Sequence, residues 1–193
     1  MSRPKRISDD DALDGALKVM FRAGPGDFTL AAAAAAIGLS PATLLQRFGD
    51  KQTLIVRAIA RGNAGFAALL ADAPLVRERE AVLDLFWLLT PDVDDPAALA
   101  DQLLWLREDF RNPSLRNLAQ ARLKMLRAAI AARLPPLPIE AETAARLLEA
   151  QWQGAMTQWG VFHEGHLADY VARCLNDWFD LAEGSETHPS QRL

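Results

Sequence analysis

The stretch that decides the fold is residues 28–54, FTLAAAAAAIGLSPATLLQRFGDKQTL. Thr29 carries the hydroxyl of a helix N-cap, and the alanines from Ala31 to Ala36 are the strongest helix formers. Gly38, between Ile37 and Leu39, can take the positive φ of a tight reversal, so the first helix stops there. Ser40 is the next N-cap, and Pro41 follows at the first helical position, where its missing N–H is no loss. Gly49 closes this helix after about two turns, and Asp50 caps another. Two short helices joined by a tight turn make a helix-turn-helix, a motif that presents its second helix to the DNA major groove.

On that second helix Leu44 and Phe48 are four apart and share a face. They are expected to enter a small core with Leu17, Leu30 and Ala34. Pro41, Ala42, Thr43, Leu45, Gln46 and Arg47 are then turned outward to different degrees. Gln46 can pair bidentately with adenine, and Arg47 can do so with guanine or reach a phosphate. Thr43 and Ala42 can touch a thymine methyl or a backbone oxygen. Leu45 either presses on a thymine methyl or packs inward. Thr29 and Ser40 stand at helix N-termini, where free N–H groups favour phosphate. Lys51 opens the next helix and is placed to clamp a phosphate. Taken singly, each of these reads equally as a solvated surface residue; the joint pattern of caps, turn and spacing points to DNA.

Upstream, Ser8 caps a helix whose first turn holds Asp9, Asp10 and Asp11, favourable at its positive end. Leu13, Ala16, Leu17, Met20 and Phe21 follow the spacing of one buried face, and Gly24-Pro25-Gly26 ends it. The basic arm Arg3, Lys5 and Arg6 reads either as a solvated tail or as a phosphate- or minor-groove-contacting arm.

The sequence resembles the TetR family of bacterial transcriptional regulators. Thr29, Leu30, Ala34, Gly38, Leu39, Ser40, Thr43, Leu44, Phe48, Lys51 and Leu54 stand in the family's order and spacing, within residues 8–60. The resemblance implies a homodimeric, usually repressing regulator whose DNA affinity is set by a small ligand held in the C-terminal part. It implies the phosphate-clamping role for Lys51. Two departures stand out. Leu45 replaces the tyrosine common in the family, and the alanine run offers no charged side chain. Both predict weaker DNA binding than is usual there.

The chain has 193 residues, half of them hydrophobic, enough for a head and a core-bearing body. An all-α fold is expected, with a DNA-binding domain at residues 1–50 and a helical effector-binding and dimerisation domain at 51–193. Net charge is −4: residues 1–61 hold nine basic and six acidic side chains (+3), and the rest twelve and nineteen (−7). A basic head on an acidic body turns its N-terminal end towards phosphate. No apolar run long enough for a bilayer and no signal-peptide core are apparent, and a lone Cys174 suits a reducing compartment, so a cytoplasmic protein is expected.

Beyond the head, the apolar periodicity and the prolines predict helices near 51–71, 75–89, 97–109, 114–133, 139–163 and 167–182, with an unstructured tail after Gly184. The last two carry more apolar surface than one face needs: Leu147, Leu148, Trp152, Ala155, Met156 and Trp159 on one, and Leu167, Tyr170, Val171, Leu175, Trp178 and Phe179 on the other. They are the candidate dimer interface, as a four-helix bundle about a twofold axis. The alternative is that these faces fill a monomer core.

Trp105, Met125, Trp152, Met156 and Trp159 fall mid-helix where a cavity could form, with Gln151, Gln158 and His163 as polar contacts. An apolar or aromatic effector is expected. His163 and His166 in HEGH lack the spacing of a zinc-protease helix, and no phosphate loop or activated nucleophile is found, so no metal, cofactor or enzymatic activity is expected. The competing readings are a constitutive or protein-partnered regulator, and less favourably a helical enzyme or interaction module.

Overall fold

The computed structural model describes residues 7–184; the arm Arg3, Lys5 and Arg6 and the stretch after Gly184 lie outside the described residues. Among the described residues the chain forms nine helices: α1 (Asp9–Asp27), α2 (Leu30–Ala36), α3 (Pro41–Phe48), α4 (Lys51–Asp72), α5 (Arg79–Leu89), α6 (Pro96–Arg111), α7 (Pro113–Arg133), α8 (Ala141–Phe162) and α9 (Leu167–Gly184). The all-helical expectation holds, and most boundaries fall within two residues of the sequence reading. Helix α5 is the exception, beginning at Arg79 rather than near 75. Leu75 and Val76 are exposed, so no burial supports a helical turn straight after Pro74.

The chain divides into two compact units, residues 1–68 with 100–122, and residues 69–99 with 123–193. The first unit has a core of Ala12, Leu13, Ala16, Val19 and Met20 from α1, Phe28, Ala33 and Ala34, Leu44 and Phe48 from α3, and Leu54, Ile55, Ala58 and Ile59 from α4. Trp105 and Leu115 complete it. The buried stripe of α1 is rotated relative to the expected face: Val19 is in, and Phe21 is 47% exposed. Leu13, Ala16 and Met20 of the expected face are buried, and the stripe extends to Ala12 and Val19 rather than to Phe21. Two polar ties cross the core's edge. The Trp105 indole N–H donates to the Met20 carbonyl at 3.1 Å, and the Asn63 amide donates to the Leu118 carbonyl at 2.8 Å.

Gly24 breaks α1 as expected, at φ 69°, and a single further turn carries the chain to Phe28. Gly15, by contrast, sits in mid-helix with ordinary backbone. A Cβ placed there would overlap the Cγ2 methyl of Ile37. The missing side chain is therefore a socket for the residue that ends α2.

Helix α4 corrects one expectation: among the described residues it alone is long and apolar enough, by length and composition, to cross a membrane. Its apolar side chains Leu54, Ile55, Ala58 and Ile59 are instead used in the first unit's core.

In the second unit α8 packs against α9, and α5 against α9. Arg79 joins the latter pair, donating to the Asn176 side chain at 2.6 Å and pairing with Asp180 at 2.6 Å. Arg133 is 3% exposed and donates to the carbonyls of Leu70, Ala73 and Pro74 at 2.7–3.0 Å. These carbonyls lie at and just past the end of α4, where no intrahelical donors remain, so the guanidinium fork replaces the lost turn. Glu149, also buried, is held by Arg127 at 2.6 Å.

The socket at Gly15 yields an expected sign change. Gly15→Ala should destabilise the protein by about 1–3 kcal/mol in chemical denaturation, because the methyl overfills the contact with Ile37. In an Ile37→Ala background the same substitution should be neutral or stabilising by up to about 1 kcal/mol, the ordinary helix preference for alanine over glycine. Strict additivity of the two changes would rule the contact out.

Candidate nucleic-acid interface

The local geometry of residues 28–54 follows its capping chemistry. Thr29 Oγ1 accepts the Ala32 N–H at 3.0 Å and starts α2. Gly38 takes φ 69°, and the Leu39 N–H returns to the Ala34 carbonyl at 2.9 Å. Ser40 Oγ accepts the Thr43 N–H at 3.1 Å and shares a 2.8 Å hydrogen bond with the Thr43 hydroxyl. Gly49, at φ 84°, closes α3 by donating to the Leu45 carbonyl at 2.8 Å. Asp50 then accepts the Thr53 N–H at 2.7 Å, and this bond holds its carboxyl below the usual carboxylate range.

Leu44 and Phe48 are buried as expected, which fixes the rotation of α3. Pro41, Ala42, Leu45 and Gln46 are exposed, Thr43 is half-buried, and Thr29, Ser40 and Lys51 are exposed. Leu45, whose direction the sequence left open, faces outward at 43% exposure. Lys51 has no carboxylate partner among the described residues, and its Nζ lies 5.5 Å from the centre of the Phe28 ring.

Arg47 is placed differently from its neighbours. Its guanidinium donates to the Ile7 carbonyl at 2.9 Å and stands 3.7 Å from the Asp9 carboxylate. It is tied to the start of α1. Other cations of this unit are engaged similarly. Arg57 lies 3.7 Å from Asp9, and Arg61 meets Asp14 at 3.0 Å and Asp10 at 3.1 Å. The Arg61 guanidinium is held charged more firmly than usual, chiefly by its hydrogen bond to Asp14. The sequence did contain a signal for this: Asp10 and Asp14 are one helical turn apart and so form a single acidic edge on α1.

The residues expected to line an effector cavity separate. Trp105 belongs to the first unit and borders a cleft of about 550 Å³ with Ile55, Leu104 and Leu115. Met125, Gln151, Trp152, Met156 and Trp159 belong to the second. There Trp159 is fully buried, its indole N–H bound to the Gly165 carbonyl at 2.9 Å, and Met156 is buried. Trp152 is half-buried, with its indole donating to Thr90 Oγ1 at 3.0 Å and its ring 5.6 Å from Phe86. Met125 is half-buried and Gln151 is exposed. Gln158 accepts from the Tyr170 hydroxyl at 3.3 Å.

Most of the apolar side chains expected at a dimer interface lie in the second unit's interior, Leu148, Ala155, Leu167, Val171, Leu175 and Phe179 among them. Leu147 is 38% exposed, and the sequence reading missed Val161 and Phe162 at the end of α8 and Leu181 on α9, which are exposed at 76%, 64% and 75%. His163 ends α8 in the left-handed region, at φ 50°, with its Nε2 3.0 Å from the Asp94 carbonyl, and His166 pairs with the Asp94 carboxylate. No group of three metal-ligating side chains occurs among the described residues. Cys174 is half-buried, and burial pushes its thiol up.

A capped, outward-facing α3, braced by α1 and carried on α4, is the geometry of a DNA-reading helix-turn-helix unit. Residues 12–58 match the family model described as bacterial regulatory proteins, tetR family. No curated protein matches the chain. Among solved structures, a transcriptional regulator from Rhodococcus sp. Rha1 superposes with a TM-score of 0.73 at 19% identity, covering 94% of this chain and 100% of that one. A TetR-family member from Streptomyces coelicolor A3 gives 0.63 at 21% identity, over 88% and 98% of the two chains. The multidrug binding protein EbrR, complexed with malachite green, gives 0.60 at 24% identity, over 90% and 98%. At these identities the likeness is one of fold. Residues 12–58 thus carry the DNA-binding domain of the tetR family, and the chain as a whole shares the fold of these solved regulators.

The cap at Asp50 gives a pH dependence with a definite sign. Its folded-state carboxyl lies below the unfolded value, so its contribution is complete above the unfolded pKa and is lost as pH falls through the folded one. Asparagine can cap at any pH. The stability advantage of wild type over Asp50→Asn in thermal unfolding should therefore shrink below about pH 4. An advantage that stays constant down to pH 2 would contradict the cap.

Proposed function

We propose that this regulator acts as a cytoplasmic homodimeric repressor that binds an inverted-repeat operator and is released by a small apolar or aromatic effector. The observation that carries the reading is the exposed face of α3, where Ala42, Leu45 and Gln46 stand clear of the core beside Ser40 and Lys51. Gln46 is the side chain of this face with two hydrogen-bonding ends for a base edge, and Leu45 offers an apolar contact to a thymine methyl. Lys51 supplies charge for a phosphate, with no carboxylate paired to it among the described residues.

Residues 1–50 carry the reading head in this proposal, and residues 51–193 the effector and dimer functions. One α3 spans too few base pairs for tight binding, and a second head about 34–36 Å away would engage the next turn of the same groove. Leu147, Val161, Phe162 and Leu181 leave apolar surface on α8 and α9, which supports pairing of those helices with a second copy. That a structural neighbour is a multidrug binding protein seen with malachite green supports a small-molecule effector. Release then follows from population shift, the effector favouring a form whose heads no longer match adjacent grooves.

Selection from a pool of random duplexes tests the reading. An inverted repeat among the bound sequences is expected, and winners without twofold symmetry would refute the dimeric head pair. Against the selected operator, Lys51→Ala should weaken binding to all sequences and lower the salt slope by about one per head. Gln46→Ala should instead relax preference at one position of each half-site, by about 1–3 kcal/mol of discrimination.

A further inference from the structure

Lys51 faces two ways. It opens α4 beside the DNA-reading helix, and it also borders the 550 Å³ cleft of the first unit. That volume lies within the usual range for small-molecule sites, roughly 300–1,000 Å³. The walls come from four helices of the same unit: Pro25 and Gly26 after the α1 break, Ile55 of α4, Leu104 and Trp105 of α6, and Leu115 of α7. Leu104 remains 44% exposed, so apolar surface is left open. Pro25 is a flat, half-buried group suited to packing against a ring, and Trp105, 7% exposed, backs the cleft from the core.

The rim is charged unequally. Lys51 and Arg107 contribute two cations and Glu108 one anion. Glu108 is taken up by Arg107, its immediate neighbour, at 2.5 Å. Lys51 is left as the cation without a carboxylate partner among the described residues. An apolar floor with one uncompensated ammonium at its edge recognises a molecule with a flat apolar body and a single negative group.

We propose that this cleft binds an aromatic carboxylate, and that the bound carboxylate takes Lys51 away from the DNA phosphate. It is an effector site in the head unit, distinct from the body residues Met125, Trp152 and Met156. The same ammonium cannot give its full charge to both anions, so ligand and DNA compete through one side chain, with no domain movement required. The regulatory half of this proposal rests on the DNA-binding role given above to Lys51; the ligand half does not.

Isothermal titration calorimetry with 1-naphthoate, and with neutral 1-naphthylmethanol as its counterpart, tests the ligand half on the full chain without DNA. Naphthoate should bind once per chain, and about tenfold or more weaker to Lys51→Met, the loss expected of one charge-assisted contact. Leu104→Trp fills the cleft from a partly exposed position and should also lose naphthoate at least about tenfold. Absence of saturable binding, equal affinity for naphthylmethanol, or unchanged binding to Leu104→Trp would overturn the site. On the selected duplex, naphthoate should weaken binding by wild type and have no effect with Leu104→Trp. Naphthoate bound in the cleft with DNA affinity unchanged would overturn the competition alone. A wild type that binds no duplex at low salt would overturn the DNA reading and the competition, while the calorimetry still decides the ligand site.

Discussion

The head depends on a side chain that is missing. Because Gly15 has no Cβ, Ile37 can seat its methyl against α1 at the point where α2 ends. That contact holds the C-cap of α2 close to the bracing helix. The turn at Gly38 and the cap at Ser40 then set the direction of α3 from a fixed origin. Burial of Leu44 and Phe48 settles its rotation. The outward set on α3 is therefore a result of packing on the opposite side of the motif.

The features legible in the sequence are those decided within a few residues. Thr29, Ser40 and Asp50 cap as their side chains dictate, and Gly38 and Gly49 take the positive φ that their turns require. The features that escaped are decided by distant partners. Arg47 looked like any outward cation on α3, but the nearest acceptors are the Ile7 carbonyl and Asp9, some forty residues earlier in the chain. Phe21 fitted an apolar spacing on α1 as well as Val19 does. The choice between the two was settled by which side of α1 meets the rest of the core, and that depends on residues far along the chain. Gly15 stands in the sequence as a lone glycine in a helical run, which by itself only weakens the helix. Nothing there names its partner.

The same limit applies to the body. Five tryptophans at helical spacing announce apolar volume, and the sequence cannot divide that volume between interior and cavity. Trp159 is sealed in the second unit, and Trp105 is buried in the first with one side at a cleft; each has its indole N–H bound to a main-chain carbonyl. Buried polar groups follow the same rule of satisfaction. Arg133 and Glu149 are almost without solvent, and each is matched, the first by main-chain carbonyls and the second by Arg127.

The pairing of Arg47, Arg57 and Arg61 with the aspartates of α1 bears on how this regulator would find its target. A head with these three arginines engaged by its own carboxylates grips bulk chromosome less firmly than one with every cation free, and leaves more of that grip to Lys51. Such a head relies less on nonspecific attraction to the duplex and more on the contacts of α3 at its own site.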